Sequence, residues 1–297
     1  MGERGGAHRS RVRRRDRRIP PHRARLSGGV AAVELGALAG FVFDLDGCVW
    51  NGNVLNPGAG ETLAALDRAG RRLAFVSNNS RATGADLRER LHALGVTVAQ
   101  HALSPLEIIG EVITERWSRS RVLVMGAREM EDAIAGAGHA IVDFKDWRAA
   151  TVVAVGNDFD LTFERLTMAA RAAAATGRLV TPNVDPRLPV EGGEFLPGCG
   201  AIVNAVAVAA GGVEPVVVGK PEPPLFRMAL ERLGLPPSRV AMVGDSLGAD
   251  ILGARGVGMP TVLYAPQGST AAEPDVVVRS FAELARLAGV GPAENSR

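Results

Sequence analysis

The sequence holds only two cysteines, Cys48 and Cys199. That excludes a disulfide framework and a cysteine-rich zinc site, and it fits a reducing, cytoplasmic setting. No apolar run reaches the roughly 18 residues that would span a bilayer, so no membrane segment is expected. No secretory pattern opens the chain, because its Arg-rich start leads into no long apolar segment. Histidine is sparse. The five, at positions 8, 22, 92, 101 and 139, stand outside every motif, which leaves a Ser–His triad without support. Lysine is scarcer still: Lys145 and Lys220 are the only two, in a chain that otherwise uses Arg as its cation. A lysine kept against that bias points to a need for a compact ammonium rather than a planar fork.

What is present suffices for a soluble globular protein. Hydrophobic residues at 46% and charged residues at 22% permit a core of useful size, and 297 residues suit one large domain or two ordinary ones. The net charge of +2 is unevenly spread. Residues 1–27 carry ten Arg against Glu3 and Asp16, a surplus of +8 that leaves the remainder at −6. This segment has no apolar period and contains Pro20-Pro21, so residues 1–36 read as a disordered, solvated tail rather than a nucleic-acid-binding arm.

Several short apolar runs end abruptly in polar residues or glycine. They are GFVF (40–43) before Asp44, RLAFV (72–76) before Ser77, PVVV (215–218) before Gly219-Lys220, and RVAMV (239–243) before Gly244-Asp245. Such runs predict strands buried on both faces. Helical periodicity lies between them, in Leu87, Leu91 and Leu94, and again in Phe226, Ala229, Leu230 and Leu233. Ser104 to Glu107 and Ser280 to Glu283 read as capping boxes. The alternation implies a doubly wound, parallel α/β fold. A second set of strand-like runs, RVLVM (121–125), AIVDF (140–144), TVVAV (151–155) and RLV (178–180), surrounds a helical stretch near 162–176. The expected layout is a core of residues 37–117 and 213–290, split by a smaller α/β cap at 118–212, with a frayed tail at 291–297.

Ligands of open parallel sheets bind at the carboxyl ends of the strands. The four polar-tipped strands would therefore gather Asp44, Ser77, Lys220 and Asp245 in one crevice. In FDLDG, Asp44 and Asp46 are too close to be charged together without a cation. With Mg²⁺ on Asp44, that carboxylate can attack phosphorus, while Asp46 protonates the leaving oxygen and later activates water. Gly47 allows a tight loop whose N–H groups can face phosphate. Asp44, Asp245 and the main-chain carbonyl of Asp46 form the expected ligand set for a hard cation. Asp250 stands behind it, holding a water or Lys220. Lys220 adds positive charge for a phosphate dianion, and Ser77 and Asn78 add polar contacts to it. Cys48 reads as a small packed side chain. GGVEPVVVGKP is not a Walker loop, since Pro221 follows the lysine, and GARGVG lacks dinucleotide spacing.

FDLDG, VSNNS, GKPEPPLF and GDSLGAD, in this order, resemble the four motifs of the haloacid-dehalogenase-like hydrolases. SNNSR and TPNVDPRLPVEGGEFLPGCGAIV resemble the branch with p-nitrophenyl, pyridoxal, phosphoglycolate and glycerol-phosphate phosphatases. The resemblance covers about residues 38–285. It implies a Mg²⁺-dependent phosphatase acting on a small phosphorylated metabolite, with Asp44 as nucleophile, Asp46 as acid and base, Ser77 and Lys220 on phosphate, and Asp245 on metal. It also implies a cap loop, Asn183 to Val190, that selects substrate. There Asn183 and Asp185 form the pattern, Arg187 meets a second anionic group, and Leu188 offers apolar contact. Caps of this branch often pair two chains, so a homodimer is expected. The alternatives are a phosphotransferase or mutase using the same intermediate, and a non-catalytic phosphate-binding module. The last should lack the nucleophile, lysine or metal aspartate, and none is missing.

Overall fold

A computed structural model describes residues 33–189 and 194–291. The expectations for residues 1–32, Val190 and residues 292–297 lie outside the described residues. Strands in chain order are β1 (Gly40–Asp44), β2 (Trp50–Asn51), β3 (Val54–Leu55), β4 (Arg72–Val76) and β5 (His101–Leu103). Next come β6 (Arg121–Met125), β7 (Ala140–Val142), β8 (Val152–Val155), β9 (Leu179–Thr181), β10 (Arg187–Pro189), β11 (Phe195–Pro197) and β12 (Pro215–Val217). β13 (Val240–Gly244), β14 (Thr261–Tyr264) and β15 (Val276–Val278) close the series. Helices α1 (Ala59–Arg68), α2 (Gly84–Ala93), α3 (Ile109–Trp117), α4 (Arg128–Gly136) and α5 (Phe163–Thr176) precede α6 (Cys199–Ala209), α7 (Pro223–Leu233), α8 (Gly253–Gly256) and α9 (Phe281–Leu287).

Two parallel sheets form. The larger has strand order β15-β14-β13-β1-β4-β5, and the smaller β12-β9-β8-β6-β7. β1 is buried at every position, as a central strand of a covered sheet must be. Its alternate residues feed different layers. Phe41 and Phe43 join Phe75 and Phe281 on one face, while Val42 joins Ala74, Val76 and Phe226 on the other. That second layer also takes Val122, Val124, Val152 and Val180 from the smaller sheet, so the two sheets share one apolar layer. From β1 the chain builds outward through β4 and β5, then returns to the opposite side through β13. β1 and β13 thus flank the reversal of strand order, where open α/β sheets bind ligands.

Three expectations are corrected. The run at 215–218 is not a core strand: β12 pairs with β9 and completes the smaller sheet. A short apolar run reads alike in either sheet, and the choice rests on pairing with residues far away in sequence. The tail does not extend to residue 36, because Leu35, in a 3₁₀ turn Leu35–Ala37, is 2% exposed and belongs to the core. The strand expected at 140–144 stops at Val142, where Asp143 caps the 3₁₀ segment Phe144–Ala149 by accepting from the Lys145 N–H at 2.9 Å.

Candidate active site

β1 ends at Asp44, which lies in register with Val76 on β4, and Phe43 pairs with Val243 on β13. Asp44, Ser77 and Asp245 therefore emerge side by side from three neighbouring strands. Lys220 comes from the smaller sheet. It follows β12 by three residues, so the carboxyl ends of both sheets meet over Asp44.

Asp44, Lys220 and Asp250 are 6%, 4% and 1% exposed. The Lys220 ammonium donates to Asp44 Oδ1, and to Asp250 Oδ1 at 2.8 Å. The other Asp250 oxygen accepts from the Ser246 N–H at 3.0 Å. Carboxylate oxygens of Asp44, Asp245 and Asp250 lie within 4.8 Å of one another. Burial pushes the Asp44 carboxyl well above its ordinary value; Lys220 opposes this, while Asp250 and Asp245 push the same way. Burial and then repulsion from Asp250 raise Asp245. Burial alone would lower the Lys220 ammonium, but Asp250 and Asp44 outweigh it and push it up.

Three carboxylates thus face one ammonium, an arrangement short of positive charge. All the donors are oxygen, and a hard divalent cation fits that set. Asp250 has both oxygens engaged, whereas Asp245 is the most open of the three.

Asp46 lies at the exposed mouth. Trp50 Nε1 donates to its Oδ1 at 2.8 Å, and the Ser77 hydroxyl donates to its Oδ2 at 3.0 Å. Ser77 Oγ also accepts from the Asn79 N–H at 3.1 Å. The Gly47 N–H, one of the loop N–H groups expected to face phosphate, donates to the Trp50 carbonyl at 2.8 Å. Glycine is required there for other reasons: φ is +91°, and a β-carbon would collide with the Asp245 carboxylate. Asn78, expected beside phosphate, instead holds the Lys220 main chain: Oδ1 accepts its N–H at 2.8 Å and Nδ2 donates to its carbonyl at 2.9 Å.

The cap loop reaches the same place. Asn183 Nδ2 donates to the Asn78 carbonyl at 2.6 Å, and Asn183 Oδ1 accepts from the Asp185 N–H at 3.0 Å. Asp185 lies near Lys220; burial raises its carboxyl, against the Asn78 amide and Lys220. Arg187 stacks on Phe195 across the β10–β11 hairpin, 4.2 Å from the ring centre, and the neighbouring Leu188 is half-buried.

Sequence reasoning overlooked Trp50, Asn56 and Arg81. Asn56 Nδ2 braces the carbonyls of Gly47 and Cys48 at 3.1 and 2.6 Å. Arg81 joins the sheets by donating to the Asn157 carbonyl at 3.3 Å while stacking 4.0 Å above Phe159. Its place within SNNSR was the available signal. Cys48 is fully buried as expected, and burial pushes the Cys199 thiol up to about 11. His139 is a core histidine, its ring among Gly110, Thr114 and Ser120.

Comparison with known proteins agrees with this geometry. A family model described as haloacid dehalogenase-like hydrolase matches residues 41–140, and a second, HAD-hydrolase-like, matches 217–284. The chain is 36% identical to chronophin of Mus musculus over 80% of its own length and 85% of that protein. It is 34% identical to glycerol-3-phosphate phosphatase of Homo sapiens, over 80% and 82%. The crystal structure of 4-nitrophenylphosphatase from Thermotoga maritima superposes with a TM-score of 0.76 at 28% identity, covering 86% of this chain and 99% of that one. The protein belongs to the haloacid dehalogenase-like hydrolases, in the branch that holds the p-nitrophenyl phosphatases.

Proposed function

We propose that this hydrolase removes phosphate from small phosphomonoesters through an aspartyl-phosphate on Asp44. The observation that carries the reading is the buried Asp44 carboxylate held against Lys220, with Asp245 and Asp250 beside it. An Asp44 oxygen attacks phosphorus as the bond to the leaving oxygen breaks, and Asp46 gives that oxygen its proton. Asp46 then takes a proton from water, whose oxygen attacks the same phosphorus. The bond from phosphorus to Asp44 breaks, and both aspartates return to their starting state. Lys220 meets the phosphate oxygens as a point charge, and the Ser77 hydroxyl turns from Asp46 to join it. Asp44, Asp245 and the Asp46 carbonyl would hold a Mg²⁺ ion, which would supply the charge neutralisation that lets an anion approach a carboxylate. Asp250 holds Lys220 from behind.

Core boundaries near 33–117 and 218–290, with the cap between them, fit this reading. The cap loop, with Asn183, Asp185, Arg187 and Leu188, is assigned substrate selection, and Arg187 a second anionic group on the substrate. The name of one relative, glycerol-3-phosphate phosphatase, directs the choice of candidates toward glycerol phosphate, and the resemblance of the sequence motifs adds phosphoglycolate, pyridoxal phosphate and nucleotides. Two buried free thiols fit a reducing cytoplasm, and among the described residues no helix is long and apolar enough to cross a membrane. A homodimer through the cap is supported by Phe163 on α5 and Val208 on α6, which are 85% and 76% exposed.

The test is a phosphate-release screen over these esters with Mg²⁺ and with EDTA, run beside Asp44→Asn. Metal-dependent release that vanishes in a folded Asp44→Asn enzyme is the expected result. Substantial turnover by that variant overturns the mechanism. Phosphate passed to added glycerol rather than to water identifies a transferase.

A further inference from the structure

Lys220 presents a mechanical difficulty. Its main chain leaves the carboxyl end of β12 in the smaller sheet, yet its ammonium must stay on Asp44 and Asp250, which the larger sheet carries. A long, flexible side chain cannot hold that position unless its α-carbon is held too. Strand-like pairing stops one residue short of Lys220: the Val218 and Gly219 N–H groups donate to the Thr181 and Pro182 carbonyls at 3.0 and 2.7 Å, whereas the Lys220 N–H turns to Asn78.

The structure assigns this task to Asn78: it is a positioning residue that pins Lys220 before Asp44, and it acts through Lys220 rather than on the substrate. This inference rests on the phosphatase reading above. Asn78 follows β4 by two residues, so it is rooted in the larger sheet. Its amide closes a ring of two hydrogen bonds with the Lys220 main chain, at 2.8 and 2.9 Å. The second Nδ2 hydrogen is directed at Asp185 Oδ2, 3.4 Å away. An asparagine amide has two donor hydrogens, and both now have partners, so neither remains for phosphate. The Asn78 carbonyl in turn accepts from Asn183 of the cap loop at 2.6 Å. Gly219 makes the approach possible, since a β-carbon there would stand 2.6 Å from Asn78 Oδ1 and 2.6 Å from the Pro182 carbonyl. Ser77, the adjacent residue, holds Asp46. Two consecutive residues of one loop thus orient the acid and the lysine.

A double-mutant cycle on kcat/KM for p-nitrophenyl phosphate tests the assignment. Loosening a group by about 1 Å costs on the order of 10²-fold, so Asn78→Ala is expected to lose 10- to 100-fold. In a Lys220→Met background the same change is expected to cost less than about twofold, because its target is already gone. Losses that multiply in both backgrounds overturn the inference, whether they arise from a phosphate contact or from general loosening of the fold. If Lys220→Met turnover is too low to measure, orthovanadate affinity is read through the same cycle with the same criteria. If the wild type cleaves no ester, the phosphatase reading fails first, and hydrogen exchange decides the clamp alone. The Lys220 amide is expected to exchange at least tenfold faster in Asn78→Ala, with β8 and β9 unchanged; an unaltered rate at Lys220 overturns the clamp.

Discussion

Asp245 sits among like charges, and its titration has a defined sign. Its folded carboxyl is raised by burial and by Asp250, so the folded state holds a proton more tightly than the unfolded chain does. Without metal, that group costs stability as pH rises from the ordinary carboxylate value, about 4, through the raised folded value. Asp245→Asn removes this cost. In EDTA the variant is expected to melt above the wild type at pH 7 and together with it near pH 4. Millimolar Mg²⁺ should reverse the order at pH 7, because the ion stabilises only a chain that binds it. Thermal melts at the two pH values, with and without Mg²⁺, decide this. At the same scale, Arg187→Ala is expected to lower kcat/KM for phosphoglycolate relative to glycerol phosphate. An unchanged ratio removes Arg187 from substrate selection.

Elements were read best where local chemistry announces their ends. Ser104 and Glu107 form the expected reciprocal capping box, with the Ser104 N–H donating to Glu107 Oε2 at 2.7 Å and Ser104 Oγ accepting from the Leu106 N–H at 3.2 Å. Ser104 is fully buried, so Ser104→Ala should cost about 1 kcal/mol, a melting shift of about 2–4 °C. A shift below half a degree would show that the cap is dispensable. The second box is only half formed: Ser280 Oγ accepts the Glu283 N–H at 3.1 Å, but Glu283 reaches the Arg279 N–H at 2.8 Å. Elements defined by long-range contact were less legible. The two-residue strands β2 and β3 carry no periodicity, yet their turn places Trp50 on Asp46. The run at 215–218 has a strand pattern that fits either sheet and joins the smaller one, because hydrophobic pattern reports burial and not the neighbour that supplies it.

For the whole molecule, cap and core are held by more than a hinge. They share an apolar layer, and the loop 77–81 crosses between them through Asn78 to Asn183, Ser80 to Cys199 at 3.2 Å, and Arg81 to Asn157. Opening of the cap must therefore break specific contacts as well as expose apolar surface. The exposed Phe163 and Val208 bear on assembly. Sedimentation at micromolar concentration is expected to show a dimer that Phe163→Asp and Val208→Asp convert to monomer. A monomeric wild type would remove pairing through these helices.

The order of residues alone dictated the parallel α/β class, the inserted cap, and the chemistry available at strand ends, since burial pattern and residue type are local properties. Asp44, Ser77 and Asp245 were legible because each ends or directly follows its own buried strand. Tertiary structure decided what the pattern left open. It brought Lys220 in from the smaller sheet, turned Asn78 to the Lys220 main chain across 142 positions of sequence, and engaged the Gly47 N–H with Trp50. Hydrogen-bond donors are few and directional, and only the folded chain settles which acceptor each one meets.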